Sequence, residues 1–424
     1  MPLRILLAAI GSSGDVHPVI DLGRALKARG HRVTLATNEH FAAQVGANGL
    51  DFVPLGTAVE AETLMRDPRL WHPTRGFPAI IERAIVPNIS RLYRIVEAHR
   101  GPDCVVAATT LCLGARVAQE RLGVPTATLH LQPSVIRSHI DNGRLGGVTM
   151  GPGMPRIVKR ALFWAMDTFF VERLIGPGLN SFRATLGLAP VRGIFGPYLH
   201  SPQLVLCLFP DWFAAPQADW PPNTHTTGFL LHDDGGLPEA HAEADRFLDE
   251  GPAPLLVTPG SAATDRARFF RNTVAACEAS GLRAMLVTNH PDQLPPDLPP
   301  GIRAFPYLPF SRVLPRCAGI VYHGGVGTLA QALRAGVPQL VVANTFDQPD
   351  NGRRVELMGL GFATTAGAYG RGRAIREVAR LVGSEAIRRR CREFAPRVDA
   401  AAAAGRACSL IEGLAPAGPG SRAA

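Results

Sequence analysis

The first half of the chain alternates continuous apolar runs with stretches in which apolar residues recur at helical spacing. Residues 3–10 form a run of strand length that is apolar at every position except Arg4, which is typical of a strand covered on both faces. A Gly/Ser turn follows, and residues 19–28 have helical spacing that ends at Gly30. This alternation predicts an open, doubly wound parallel sheet. Its other elements are predicted over residues 32–37, 45–53 (a short helix, then a strand), 103–108 and 125–129.

The second half restarts the same alternation after a polar stretch at residues 229–242, which we interpret as a linker. A strand over residues 254–258, a turn and a helix over residues 269–280 come first, and four more strands are predicted at 283–287, 302–305, 319–322 and 339–342. The pattern is that of an α/β protein with two Rossmann-like domains and a ligand cleft between them. The predicted domains are 1–228 and 243–413, followed by a loose tail at 414–424.

Composition and charge narrow the class of protein. Hydrophobic residues make up 46% of the 424 positions and charged residues 19%, which indicates a globular chain. The formal net charge is +9, carried almost wholly by arginine, since Lys27 and Lys159 are the only lysines. The arginines are scattered instead of gathered beside aromatic residues, so no nucleic-acid partner is expected. The remaining interpretations of the charge are solvated surface, anionic substrates or an anionic membrane surface.

The seven cysteines are odd in number, lack any C-x-x-C spacing and sit mostly in apolar runs. Buried free thiols are therefore predicted, as is the reducing cytoplasm. The apolar run at the start is too short for a signal peptide, and no run of about 18 apolar residues predicts a membrane-spanning helix.

The sharpest motif is a glycine-rich turn at residues 321–329, where a buried strand runs into a helix. Glycines allow a ligand to approach the backbone, and the helix N-terminus supplies unpaired N–H groups, so a diphosphate suits this place. His323 and Thr328 could each add a hydrogen bond. By itself the motif also fits an ordinary strand-to-helix turn.

A polar segment at residues 344–351 follows the next predicted strand and should emerge on the same rim of the sheet. A carboxylate beside an amide can grip neighbouring hydroxyls of a sugar. The alternative is a polar turn in which Asp347 or Asp350 caps a helix.

Together these segments resemble the donor-binding signature of the family 1 glycosyltransferases, which have the GT-B fold. The resemblance rests on residues 323–328, 335–339, 347–348 and 351, and residues 11–18 are similar to the N-terminal loop of the sterol- and antibiotic-type bacterial members. It implies a set of donor-binding residues in three groups. They are His323, Gly325, Thr328 and Ser261 for the diphosphate, Asp347 and Gln348 for the sugar, and Tyr307 and Leu308 for the nucleobase, and Gly327 and Asn351 complete the donor-binding set.

The resemblance also implies an inverting transfer in which the two domains close around donor and acceptor. Asp15 stands where plant and animal members carry a histidine, and its carboxylate would take the proton of the acceptor hydroxyl. His17 is a second candidate base, and capping of the following helix is the alternative role of Asp15. The predicted acceptor-binding residues are Ser13, Gly14, Trp71, Phe163 and Phe169, although the last two could instead pack in the core. Neither a metal site nor a cofactor is predicted besides the nucleotide-sugar co-substrate.

A narrower resemblance connects several other segments with the rhamnosyltransferase chain of bacterial rhamnolipid synthesis. It implies dTDP-L-rhamnose as donor and a 3-(3-hydroxyalkanoyloxy)alkanoate lipid as acceptor. It further implies a cytoplasmic enzyme, either peripheral at the inner membrane or supplied by a membrane-bound partner. The segments are residues 67–71, 200–203, 207–210, 212–214, 219–221 and 227–229.

Some other functions of this fold class remain as alternatives, and two are excluded by missing residues. A glucosyltransferase of the same fold that acts on a sterol, a polyketide or another lipid differs only in donor and acceptor. A nucleotide-sugar epimerase and a non-catalytic sugar-nucleotide binder share the fold. A phosphorylase would need a Schiff-base lysine in the second half, where none occurs after Lys159. A dinucleotide-dependent oxidoreductase would need G-x-G-x-x-G in the first turn, which is absent.

Overall fold

The structure is a computed structural model that describes residues 2–67, 69–70, 72, 75–145, 148–233, 238–260 and 266–415. The chain forms two compact units. Unit 1 comprises Met1–Asn142, Thr149–Leu230 and Ala400–Ala424, and unit 2 comprises Gly143–Val148 and Leu231–Asp399.

The strands and helices are numbered along the chain. The strands are β1 (Arg4–Ala8), β2 (Arg32–Thr37), β3 (Asp51–Pro54), β4 (Cys104–Thr109), β5 (Thr126–His130), β6 (Arg144–Leu145), β7 (Val148–Thr149), β8 (Leu204–Cys207), β9 (Thr224–Thr226), β10 (Leu255–Thr258), β11 (Ala284–Val287), β12 (Ile302–Phe305), β13 (Gly319–Tyr322), β14 (Gln339–Ala343) and β15 (Gly361–Thr365). The helices are α1 (Ser13–Ala28), α2 (Ala42–Ala47), α3 (Ala58–Met65), α4 (Gly76–Ile80), α5 (Val86–His99), α6 (Leu113–Leu122), α7 (Arg156–Met166), α8 (Glu172–Leu174), α9 (Gly176–Thr185), α10 (Pro238–Asp249), α11 (Ala267–Ala279), α12 (Phe310–Val313), α13 (Val326–Ala335), α14 (Gln348–Leu357), α15 (Arg371–Gly383), α16 (Glu385–Phe394) and α17 (Ala400–Glu412).

Each unit is built on one parallel sheet with helices between the strands. In unit 1 the order is β3-β2-β1-β4-β5-β8-β9, and in unit 2 it is β12-β11-β10-β13-β14-β15. Strands β4, β5 and β8 are buried along their whole length, which is typical of a parallel sheet covered on both faces. In both sheets the order reverses beside the first strand, and a doubly wound sheet binds its ligands at such a reversal, outside the carboxyl ends of the strands. The predicted α/β class with two Rossmann-like sheets is confirmed.

The domain boundaries differ from the predicted ones at both ends of the second half. The predicted linker at 229–242 is partly helical, because α10 begins at Pro238. Helix α17, predicted within the second domain, belongs to unit 1. Glu412 of this helix accepts hydrogen bonds from Arg29 Nη1 and His31 Nε2, each at 2.8 Å, and Ile411 is fully buried. Of the predicted loose tail, residues 416–424 lie outside the described residues.

All seven cysteines are free and buried, as predicted. Burial raises the pKa of the Cys112 thiol to about 12 and that of Cys391 to about 12, so neither is a thiolate near neutral pH. Among the helices of the described chain, none has both the length and the apolar character needed to cross a bilayer.

Unit 1 contains a buried histidine pair at the end of β5. His130 Nε2 and His200 Nδ1 are 2.9 Å apart, and Thr110 Oγ1 lies 2.8 Å from His130 Nδ1. Burial lowers the pKa of His130 well below its usual value and that of His200 to about 4. Both imidazoles are therefore neutral in the folded chain near pH 7.

Unit 1 should lose stability as the pH falls from about 6.5 to about 4. In that window the unfolded chain binds protons that the folded chain refuses, so acid favours unfolding. Between pH 7 and pH 5 we expect His200 alone to account for about 2 kcal/mol of the free energy of unfolding. Urea unfolding followed by tryptophan fluorescence tests this, because all four tryptophans lie in unit 1. The variant His200→Asn should reduce the acid loss, whereas exposed His225→Asn should leave it unchanged.

Candidate active site

Asp15 lies in the first turn of α1, directly after the loop that leaves β1. Its Oδ2 accepts hydrogen bonds from the backbone N–H of Ser12 at 2.8 Å and from Ser12 Oγ at 3.1 Å. Ser12 is the N-cap residue of α1 and Asp15 is the third residue of the helix, so the Asp15 carboxylate belongs to a capping box and is not the N-cap that the sequence offered as its alternative role. Oδ1 receives no hydrogen bond from the described residues, so one carboxylate oxygen secures the loop while the other remains able to accept a proton.

Burial raises the pKa of Asp15, and the two hydrogen bonds from Ser12 oppose this rise. A carboxylate with a raised pKa is a stronger base than one in water, which suits a group that takes a proton. The folded loop also needs glycine at position 11, where φ is 144° and an added Cβ would collide with the Asp15 carboxylate.

The end of the neighbouring strand β4 contacts the loop that leads from β1 to Asp15. The hydroxyl of Thr109, at the end of β4, accepts a hydrogen bond from the N–H of Ile10 at 3.4 Å. Burial raises the pKa of the Cys112 thiol, which follows β4, and the Asp15 carboxylate adds to this rise. Asp15 therefore stands at the strand-order reversal between β1 and β4.

The other predicted catalytic and acceptor-binding residues of unit 1 lie in several separate elements. His17 faces α2, where its Nε2 lies 3.0 Å from Gln44 Nε2, and Ser13 and Gly14 form the first turn of α1. Phe163 is buried, with the Arg137 guanidinium 5.0 Å from its ring centre, which matches the core-packing alternative. Phe169 is exposed and packs edge-to-face on Trp164. Trp71 lies outside the described residues.

In unit 2, His323 follows β13 at the reversal between β10 and β13. Burial lowers its pKa to about 4, and the Arg266 cation contributes to this shift. The imidazole is thus neutral near pH 7 and offers a hydrogen bond but no positive charge. Its buried Nδ1 has no hydrogen-bond partner among the described residues. An unsatisfied buried polar atom costs about 1–3 kcal/mol, so a ligand oxygen that reached this ring could be bound tightly.

Two glycines make room for the His323 ring. Gly260 is the second residue after β10, and a Cβ added there would lie 2.7 Å from the His323 ring. A Cβ added at Gly325 would collide with Nε2 of the same ring. Gly325 is also the N-cap residue of α13, with φ of −63° and ψ of 139°. The imidazole therefore lies beside the N-cap of α13, whose first-turn N–H groups lack partners within the helix.

The variant Gly325→Ala should weaken binding of a nucleoside diphosphate by roughly tenfold to a hundredfold, because displacing a positioned group by about 1 Å can cost that much. Its backbone conformation suits alanine, so the effect should come only from the collision with His323. Titration calorimetry with thymidine diphosphate measures it. A matched control is Gly372→Ala in α15, where an added Cβ meets no described atom. Equal affinity of the two variants would contradict this role of Gly325.

The segment between β14 and α14 presents a carboxylate and an amide side by side. Asp347 is the N-cap residue of α14, and its Oδ2 accepts a hydrogen bond from Asn351 Nδ2 at 2.7 Å. Asn351 is fully buried and also donates to the carbonyl of Gly324 at 2.9 Å, so it joins the two loops from behind. Gln348 Oε1 accepts from the N–H of Asn344 at 2.9 Å, while its Nε2 makes no hydrogen bond to the described residues.

Phe346, just before this pair, has a left-handed backbone with φ of 59°, and its ring is 37% exposed. This conformation is strained for a bulky side chain, and such strain is concentrated at binding sites. The sharp turn directs Asp347 and Gln348 to the carboxyl end of the sheet.

The remaining donor-site candidates that the structure describes follow the carboxyl ends of β12 and β13. The hydroxyl of Tyr307 donates to Asp233 at 3.3 Å, and Leu308 is buried, so its side chain is not available to a nucleobase. Thr328 is partly exposed in the first turn of α13. Ser261 lies outside the described residues.

Sequence reasoning did not single out three contributors. Ser12 was missed as the residue that positions Asp15, although Ser at an N-cap is a known signal. Gly260 was taken only as part of a turn, because its contact with His323 joins segments far apart in sequence. Arg266 was missed because an arginine before a helix has no distinctive spacing, yet its charge reaches His323.

Comparison with known protein families finds a matching family for each half of the chain. Residues 5–139 match the family model for the glycosyltransferase family 28 N-terminal domain, and residues 283–405 match that for the erythromycin biosynthesis protein CIII-like C-terminal domain.

Individual relatives extend the match over nearly the whole chain. The O-mycaminosyltylonolide 6-deoxyallosyltransferase of Streptomyces fradiae is 31% identical over 97% of this chain and 97% of its own length. A sterol 3-beta-glucosyltransferase of Arabidopsis thaliana is 25% identical over 85% of this chain and 57% of its own length. The solved structure of a spinosyn rhamnosyltransferase complexed with thymidine diphosphate is 20% identical, with a TM-score of 0.67 over 96% of this chain and all of the other.

Proposed function

Because this chain belongs to the GT-B glycosyltransferases of family 1, we propose that it moves L-rhamnose from dTDP-L-rhamnose onto the hydroxyl of a lipophilic acceptor, with inversion at the anomeric carbon. The observation that carries the chemistry is a pair of sites, each at the strand-order reversal of its unit. One is a carboxylate with an oxygen that receives no hydrogen bond from the described residues, and the other is a buried imidazole beside a helix N-terminus.

In this proposal Asp15 Oδ1 takes the proton of the acceptor hydroxyl while that oxygen attacks the anomeric carbon. The new carbon–oxygen bond forms as the bond to the diphosphate breaks, and the electron pair leaves with the phosphate oxygen. Negative charge therefore grows on the diphosphate. It is met by the hydrogen bond of neutral His323, the hydroxyl of Thr328, the N–H groups of the first turn of α13 and the nearby Arg266 cation.

For the donor sugar we assign Asp347 and the free Nε2 of Gln348 to the ring hydroxyls, with Asn351 holding Asp347 in place. A thymidine diphosphate 6-deoxyhexose is supported by two relatives. One is named a 6-deoxyallosyltransferase, and one neighbouring structure is a rhamnosyltransferase that holds thymidine diphosphate. We propose no metal or cofactor besides this co-substrate.

For the acceptor we propose a hydroxy-fatty-acid lipid of the 3-(3-hydroxyalkanoyloxy)alkanoate type, so that the product is a mono-rhamnolipid. This choice rests on the narrower sequence resemblance described above. We also propose a cytoplasmic location, consistent with the seven free thiols.

A second candidate is transfer of glucose from a uridine diphosphate donor to a sterol or polyketide. The sterol glucosyltransferase among the relatives favours it.

The test is mass spectrometry of the products formed by the purified enzyme. dTDP-L-rhamnose and UDP-glucose are each supplied with the hydroxyacyloxy-alkanoic acid, a sterol and a macrolide aglycone. A rhamnosylated lipid formed only from the first donor is the expected result. Transfer from UDP-glucose, or transfer only to the sterol or the macrolide, would replace this substrate pair while leaving the glycosyltransferase assignment in place.

A further inference from the structure

One continuous helical segment of unit 1 carries most of the large apolar side chains that the described chain leaves exposed. It runs from α7 through a wider turn at Asp167–Val171 into α8. Seven of the eleven exposed large hydrophobic residues belong to it, and Ile157, Trp164 and Phe170 are 72%, 64% and 62% exposed. We name these seven residues the apolar patch: Ile157, Val158, Leu162, Trp164, Phe169, Phe170 and Leu174.

The helix that bears the apolar patch is anchored firmly. On its opposite side Lys159, Phe163 and Val171 are buried. Lys159 Nζ donates to the carbonyls of His139 and Ile140, and Arg137 pairs with both carboxylate oxygens of Asp167 at 2.7 Å. Its apolar side chains are therefore held outward on a fixed helix, and large exposed apolar patches of this kind mark interaction sites.

The charges beside the apolar patch are positive. Arg156, Arg160 and Arg173 are exposed on the same segment, and the Arg173 guanidinium lies 5.5 Å from the ring centre of Phe169. The two acidic residues of this segment already have hydrogen-bond or ion-pair partners in unit 1. Asp167 is paired with Arg137, and Glu172 Oε1 accepts from the N–H groups of Gly193 and Ile194 at 2.7 and 3.2 Å.

We propose that the apolar patch binds the surface of a bilayer that contains anionic lipids. Tryptophan, phenylalanine and aliphatic side chains enter the boundary between headgroups and acyl chains, while the arginines pair with lipid phosphates. A second copy of the chain is a poorer occupant, since it would bring two sets of arginines together. The attachment would hold unit 1 where lipophilic acceptors concentrate, but it is independent of catalysis and is tested without donor or acceptor.

The test is co-flotation of the full chain with vesicles of phosphatidylcholine alone or with about one-third phosphatidylglycerol. We expect binding to the anionic vesicles, weakened by salt. Trp164→Ser/Phe170→Ser should lower the partition coefficient by roughly tenfold or more, since each buried aromatic ring contributes strongly. Arg156→Gln/Arg160→Gln should lower it by about tenfold on anionic vesicles only. A matched control is Val59→Ser/Leu357→Ser, which removes two equally exposed apolar side chains elsewhere and should bind like wild type.

Several outcomes would overturn the inference. They are absence of vesicle binding by the wild type, equal binding by the Trp164/Phe170 variant and the control, and a wild-type dimer that the Trp164/Phe170 change dissociates. A raised KM of that variant for the acceptor in vesicle-free solution would assign the apolar patch to acceptor binding instead. Circular dichroism of each variant confirms that it is folded. Because vesicle binding needs no substrate, failure here leaves the proposed transferase function untouched.

Discussion

Asp15→Asn should lower the rate of sugar transfer by about 10²–10⁴-fold, the range typical of losing a general base. Asparagine has nearly the same shape, and its amide oxygen can still accept both hydrogen bonds from Ser12, so the loop should keep its conformation. The substitution removes Oδ1 of Asp15, the oxygen that takes the proton of the acceptor hydroxyl. The dissociation constant for thymidine diphosphate should stay at the wild-type value, because Asp15 lies in unit 1 and the predicted donor site is in unit 2. Single-turnover kinetics and calorimetry measure the two quantities separately.

The same variant has an opposite consequence for stability. Burial raises the pKa of Asp15 in the folded chain, so the folded state binds a proton more readily than the unfolded state does. The buried carboxyl group therefore destabilises unit 1 near pH 7, and this cost shrinks as the pH falls below the raised pKa towards the ordinary value of 3.8. Asp15→Asn should thus unfold at a higher urea concentration than wild type at pH 7, and the difference should shrink in acid. A slow enzyme that is also less stable would indicate misfolding instead of loss of a base.

His323→Ala should produce the second large effect, a loss of nucleoside diphosphate affinity of roughly tenfold to a hundredfold. Removing a hydrogen bond to a charged group costs about 1.5–3 kcal/mol, which corresponds to that range. Since His323 is neutral near pH 7, the loss should be nearly constant between about pH 6 and 8, in contrast to that of a charged histidine.

Two further proteins sharpen this test. His323→Gln retains an N–H donor and should recover part of the affinity, whereas exposed His225→Ala in unit 1 should bind thymidine diphosphate like wild type. If His323→Ala bound the diphosphate as tightly as the control, the assignment of the donor phosphate to this ring would be wrong.

The sheets were predictable because their strands are buried on both faces. Residues 319–322 are an unbroken buried run and match β13 at both ends. Residues 302–305 also match β12 at both ends, although Arg303 interrupts their apolar run. Strand β9 was missed because its three residues, Thr224–Thr226, carry no apolar run. Helix α17 was assigned to the wrong half, since its alanine-rich sequence does not indicate which surface it covers, and its partners Arg29 and His31 lie almost 400 positions away.

Some features of the candidate site could likewise be predicted from the sequence, and others could not. The glycine-rich turn and the polar pair at 347–348 could be recognised in the sequence because their residue types and spacing together resemble a donor-binding signature. The neutrality of His323 was not, since it follows from burial and from the Arg266 charge. Nor could spacing show that Asn351 binds the Gly324 carbonyl and Asp347 together, because that bridge depends on how two loops pack.

The return of α17 to unit 1 has a consequence for biosynthesis. Unit 1 is discontinuous, so unit 2 is in effect an insertion whose residues leave the ribosome before unit 1 is complete. Unit 2 can fold while the surface that receives Ala407, Cys408 and Ile411 is still uncovered. That apolar surface must wait for the last helix, and a nascent chain stalled before residue 400 would be a natural client for chaperones.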